Sequence, residues 1–109
     1  MIRTEEIVLP QSPPAPLLPP VLKEGTVRHR FDLSDGHSFL LTLRQGRLSL
    51  EEGGGDADAV YQCSRENLQR VLSGELNLLT ALMRGMIHVT GNLDFAKRLY
   101  RYLRLAGGK

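Results

Sequence analysis

From Val27 onward, apolar and polar side chains alternate with the period of two that marks a half-buried strand. Val27, His29, Phe31 and Leu33 fall on one side, with Arg28, Arg30 and Asp32 on the other. Ser34-Asp35-Gly36 interrupts the pattern as a hairpin signal, after which Phe39, Leu41 and Leu43 share a face. Gln45-Gly46 is a second tight turn, and Leu48 and Leu50 follow on one face. These three segments predict an antiparallel meander with one buried and one wet face. Glu51 to Gly55 reads as a flexible connection. Residues 57–63 alternate less cleanly, with Ala57, Ala59, Tyr61 and Cys63 set against Asp58, Val60 and Gln62, and predict a fourth strand.

The period then changes. Ser64 is placed to cap a helix carrying Leu68, Val71 and Leu72 on one stripe, with Glu66 in its first turn and Gly74 at its end. Asn77 is placed to cap a second, short helix running to Met83, which Gly85 stops. Residues 86–90 predict a fifth strand, and Gly91-Asn92 a turn and cap for a final helix of about 13 residues, roughly 3.6 to a turn. Phe95, Ala96, Leu99, Tyr102 and Leu103 form its apolar stripe, with Lys97, Arg98, Arg101 and Arg104 on its other faces. The expected fold is α+β, of order ββββααβα: a five-stranded, largely antiparallel sheet covered on one face by helices.

All six prolines lie in residues 10–20, PQSPPAPLLPP, which cannot be a helix interior or a central strand. Residues 1–26 therefore read as a proline-rich arm, anchored by burial of Leu17, Leu18, Val21 and Leu22, ahead of a domain over 27–109. A PxxP ligand at Pro13–Pro16 or Pro16–Pro19 is the competing use of the segment. With 109 residues, 41% of them hydrophobic, the chain can support one packed domain. No apolar run approaches the ~18 residues of a membrane span, and no apolar signal region follows the N-terminus. Cys63 is the sole cysteine, which excludes an internal disulfide and the usual cysteine-rich zinc site. The expectation is a soluble, cytoplasmic domain.

A net charge of +2 conceals a gradient. Residues 76–109 hold six basic side chains against one acidic, a net of +5, largely on the final helix. That face suits an anionic lipid surface or an acidic partner, or is simply solvated. Nucleic acid is disfavoured, because Phe31, Phe39 and Tyr61 sit on apolar stripes rather than on an exposed stacking platform.

Catalytic chemistry is sparse. His29, His37 and His88 are the general-base candidates near neutral pH, and none stands at metal-ligand spacing from another. His88 is expected to point to the outer sheet face, and Cys63 to be a buried, inert thiol. Glu51, Glu52, Asp56 and Asp58 bracket three glycines but lack EF-hand spacing, and those glycines lack the lysine of a phosphate loop. No catalytic residue, metal site or cofactor site is predicted. Leucine abounds instead, 20 in all, packing solid or surrounding a lipid-sized space.

Asp56 to Leu105 resembles the sterol carrier protein type 2 (SCP-2) domain. The carrying residues are Ala57-Asp58, Cys63-Ser64, Leu72-Ser73-Gly74-Glu75-Leu76-Asn77, and the run from Ala81 through Met83-Arg84-Gly85 to Asn92. Gly85, Ile87, Val89 and Gly91 match the family's alternating pattern, with Asn92 where Asp is usual. Phe31 to Gly36 and the meander to Leu50 fit its early strands. The resemblance implies an apolar tunnel that binds sterols, fatty acids or fatty acyl-CoA without chemistry. Its lining would include Phe39, Leu41, Leu43, Leu48, Leu50, Ile87 and Val89 from the sheet, and Leu78, Leu82, Met83, Phe95, Leu99 and Leu103 from the helices. Lys97, Arg98, Arg101 and Arg104 would face a membrane surface. An accessory scaffold for enzymes acting on hydrophobic substrates, of the ubiquinone-biosynthesis type, is the alternative. The proline-rich segment stands where the family has one or two helices, and the C-terminal Gly107-Gly108-Lys109 carries no peroxisomal address.

Overall fold

A computed structural model describes residues 7–10, 13, 18–20 and 25–107. The order is β1 (Thr26–Leu33), β2 (Ser38–Arg44), β3 (Arg47–Glu52), β4 (Ala59–Cys63), α1 (Arg65–Leu72), α2 (Leu78–Met83), β5 (His88–Gly91) and α3 (Leu93–Gly107). It matches the ββββααβα order read from the sequence. The boundaries differ locally. Glu51 and Glu52 belong to β3 rather than to a flexible connection, β4 begins at Ala59, and α3 runs for 15 residues. Ile87 lies one residue before β5.

The meander forms because both turns take the backbone their residues favour. Gln45 and Gly46 both have positive φ, 52° and 82°, the conformation that joins twisted antiparallel strands with two residues. Leu41 stands opposite His29 on β1 and Leu50 on β3, so the apolar positions share the inner face.

Strand order is β3-β2-β1-β4-β5. All neighbours are antiparallel except β1 and β4, which run parallel with Phe31 beside Tyr61. Alternation along one strand records which face is buried but not which strand lies beside it, so the parallel pair is absent from the sequence pattern. β3 occupies the free edge of β2, and the chain returns to the free edge of β1. Arg30 Nη1 fastens the returning loop by donating to the Gly55 carbonyl at 2.9 Å. The Arg28 N–H donates to Asp58 Oδ2 at 2.8 Å just before β4.

Both predicted caps on the first two helices are present. Ser64 Oγ accepts from the Asn67 N–H at 3.1 Å, and Asn77 Oδ1 accepts from the Thr80 N–H at 3.1 Å. Asn92 Oδ1 accepts from the Asp94 N–H at 2.9 Å at the start of α3. Ser64→Ala removes one of these acceptors and is expected to cost about 1 kcal/mol of stability. Equilibrium urea unfolding reads this directly, and an unmoved midpoint would mean the cap contributes nothing.

The inner sheet face and the helices enclose a core containing Phe31, Phe39, Leu41, Tyr61, Leu68, Leu72, Ala96 and Leu99. Phe31 and Tyr61 stack with ring centroids 4.4 Å apart across the parallel pair. Leu18, Leu43 and Tyr102 form a satellite cluster. Tyr102 Oη donates to the Gly46 carbonyl at 2.9 Å, and a Cβ on Gly46 would meet Leu18 Cδ1 at 2.8 Å. Leu18 is thus an anchor of the N-terminal segment, as its sequence suggested. Ile7 is a second anchor that the sequence reading omitted, buried in the main core while the Val8 N–H donates to Gln69 Oε1. Leu17, Val21, Leu22 and Pro16 lie outside the described residues.

Candidate functional site

α1, α2 and α3 leave a cavity of about 250 Å³ between them, lined by Val71, Gly74, Leu76, Asn77, Leu78, Tyr100, Leu103 and Arg104. Its walls follow from local rules. Gly74, at φ +85°, lets the chain leave α1 abruptly, and the Leu76 N–H donates to the Arg70 carbonyl at 3.0 Å, turning Leu76 inward. Asn77 then starts α2, which places Leu78 on the buried side. Across the gap, Tyr100 and Leu103 lie one turn apart on α3, and Arg104 sits four residues from Tyr100.

The floor is apolar and the rim is polar. Arg104 Nη1 donates to Tyr100 Oη at 2.8 Å, and the guanidinium lies 5.7 Å from the ring centroid. Hydrogen bonds from Arg104, and then from Asn77, hold the Tyr100 phenol below its ordinary pKa. An apolar pocket with a few polar groups at one end is the general form of a small-molecule site.

Leu78 and Leu103 of the sequence-predicted lining border this cavity. Phe39, Leu41, Ile87 and Leu99 are buried in the main core, and Leu43 in the satellite cluster. Leu48, Leu50, Leu82, Val89 and Phe95 are half-buried against the core. Met83 does not join them: it is 87% exposed at the end of α2. Val71, Leu76, Asn77 and Tyr100 were absent from the predicted lining. The signal for Tyr100 was its spacing of four from Arg104, a pairing that matters only once α2 lies opposite.

Of the basic positions on α3, Lys97, Arg101 and Arg104 are exposed and recur on one helix face. Arg98 is half-buried, with its guanidinium 5.5 Å from the Phe95 ring centroid.

His29 is fully buried and its Nδ1 lies 2.9 Å from Tyr61 Oη, while Nε2 has no partner among the described residues. Burial lowers its pKa to about 4, against a smaller raising effect of the Asp58 carboxylate. Burial pushes the Cys63 thiol up to about 12, which makes it a poor nucleophile. Asp35 is held below the usual carboxylate range first by the His37 backbone N–H, and also by the Arg65 and His37 side chains. Arg65 Nε donates to Asp35 at 3.0 Å while its guanidinium lies over the Phe39 ring at 5.0 Å. His88 is exposed on the outer sheet face. Among the described residues, no group of three or more His, Cys, Asp or Glu side chains could hold a metal ion. No helix among them is long and apolar enough to cross a membrane.

Residues 9–104 match the model of the SCP-2 sterol transfer family. The chain belongs to this family. Its membership supports lipid binding or transfer as the class of function. The match begins inside the predicted N-terminal arm, so the family pattern extends ahead of β1. A curated relative, hydroxysteroid dehydrogenase-like protein 2 of Bos taurus, is 27% identical over 93 residues, which is 82% of this chain but only 22% of that protein. The fold is like that of a ubiquinone synthesis protein, UbiJ-SCP2, at TM-score 0.62 and 18% identity, over 84% of this chain and 80% of that one. It is also like sterol carrier protein 2 from Yarrowia lipolytica in its apo form, at TM-score 0.55 and 23% identity, over 77% and 70%.

Proposed function

We propose that the chain binds a single-chain hydrophobic lipid, without transforming it, in the cavity between α1, α2 and α3. The observation that carries this reading is an apolar space walled by Val71, Leu76, Leu78 and Leu103, open past a polar rim, in a member of a lipid-transfer family. At about 250 Å³ it lies just under the ~300–1,000 Å³ of sites for drug-sized molecules, which favours a fatty acid or acyl chain over a bulky sterol. Of the other predicted lining residues, Phe39, Leu41, Ile87 and Leu99 lie deeper, in the core, and would be reached only if the helices part, while Met83 lies outside it. The exposed row Lys97, Arg101 and Arg104 would bring the mouth toward an anionic membrane surface. No nucleic acid, metal or cofactor enters this reading.

Displacement of a fluorescent fatty acid tests it. Saturable binding is expected, weakened at least tenfold in Leu103→Trp, whose larger side chain fills the cavity. No saturable binding up to high micromolar concentration would overturn the proposal. An accessory scaffold role is the second reading, prompted by the fold likeness to the ubiquinone synthesis protein. Recovery of a stable enzyme complex free of lipid from cell extract would favour it.

A further inference from the structure

We infer that Arg104 and Tyr100 form a headgroup clamp that selects single-chain lipids ending in a carboxylate. The inference rests on the lipid-binding reading and adds which end of the ligand is recognised, and by what.

Arg104 sits where apolar wall gives way to solvent. A guanidinium has five N–H donors, and the bond to Tyr100 Oη uses one of them. The bond to Tyr100 Oη, with the guanidinium carbon 5.7 Å from the ring centroid, holds the group at the mouth, and among the described residues its other nitrogens take no hydrogen-bond partner. Among the described residues, no Asp or Glu forms an ion pair with Arg104. Glu75, between two lining residues in the chain, is directed elsewhere: its side chain is 68% exposed and pairs with Arg70 at 3.8 Å.

Tyr100 points to the same polarity. Its phenol oxygen accepts from Arg104, a bond that does not use the phenol proton. The depressed phenol pKa reports the same donor-rich surroundings. A ligand with its tail among Val71, Leu76, Leu78 and Leu103 presents its head to these donors. An alcohol offers one oxygen and no charge. A carboxylate offers two coplanar oxygens and one negative charge, matching the planar fork and the single cation. A dianionic phosphate would bring a second charge that Arg104 cannot neutralise.

The test compares decanoate, 1-decanol and decyl phosphate by competition against one fluorescent probe, at pH 7.5. The intact chain is expected to bind decanoate at least tenfold more tightly than 1-decanol, the range of a charge-assisted hydrogen bond. Arg104→Gln should bring that ratio close to one while 1-decanol affinity holds. Arg104→Lys should restore part of the ratio, and Arg84→Gln, which removes an equal charge elsewhere, should leave it unchanged. A decanoate preference that survives Arg104→Gln, with both ligands still bound, overturns the clamp and leaves lipid binding standing. An Arg104-dependent preference for decyl phosphate over decanoate overturns the carboxylate assignment. Failure of all three ligands to bind overturns the clamp together with the lipid-binding reading.

Discussion

Leu99→Ala is expected to lower the stability of the fold by about 2–5 kcal/mol. Leu99 is fully buried on α3 in the main core, alongside Phe39, Leu41 and Ala96. Truncation removes buried methyl groups and leaves a cavity that a backbone fixed by helix and sheet cannot collapse into. A native domain has a margin of only about 5–15 kcal/mol, so the variant gives up a large part of it. Met83→Ala is the contrasting case. Met83 was assigned to the same lining by resemblance but is 87% exposed, and its truncation should move stability by no more than about 0.5 kcal/mol. Urea unfolding of both variants checks the contrast. Equal, small effects would mean that Leu99 lines a ligand space already open rather than packing the core.

The second large effect is acid lability through His29. The folded protein lowers this pKa from 6.5 to about 4, so the unfolded chain takes up the proton first as pH falls. The stabilisation is complete above about pH 6.5 and is lost progressively down to about pH 4. At 1.36 kcal/mol per pKa unit, the linkage amounts to about 2 kcal/mol lost between pH 7 and pH 5, and about 3 kcal/mol by pH 4. Two groups act on the ring: the uncharged Tyr61 hydroxyl at Nδ1, and Asp58, whose carboxylate offsets part of the burial cost. Carboxylates also titrate over part of this window, so the readout is a difference. His29→Gln should reduce the fall in unfolding free energy between pH 7 and pH 5 by about 2 kcal/mol relative to the unsubstituted chain. An identical pH slope in both would mean that His29 is not held neutral by the fold.

The sequence was most informative where one residue decides a local outcome. Alternation placed His29, Phe31, Phe39, Leu41 and Tyr61 on the inner sheet face, and the capping residue types marked Ser64, Asn77 and Asn92 as helix starts. It did not reveal the parallel β1–β4 pair, since periodicity is blind to partners. Nor did it reveal the inward burial of Ile7, which belongs to no periodic segment. The cavity was the least legible feature. Leu99 and Leu103 fall on one apolar stripe of α3, yet Leu99 packs solid while Leu103 borders open space. The difference arises from how far α1 and α2 stand from α3, a packing result that no single helix encodes. Tyr100 lay beside that stripe and became a rim residue only when Asn77 and Leu78 were brought opposite.

Entry of a single-chain lipid into the space between α1, α2 and α3 is the step on which the proposed function depends. An amide chemical-shift titration of the intact ¹⁵N-labelled chain with decanoate tests it most directly. Saturable shifts are expected, concentrated at Val71, Gly74, Leu76, Asn77, Leu78, Tyr100, Leu103 and Arg104, with Arg28, Thr42 and His88 on the outer sheet face unmoved. Shifts confined to that outer face, or no saturable shift at any residue, would contradict it.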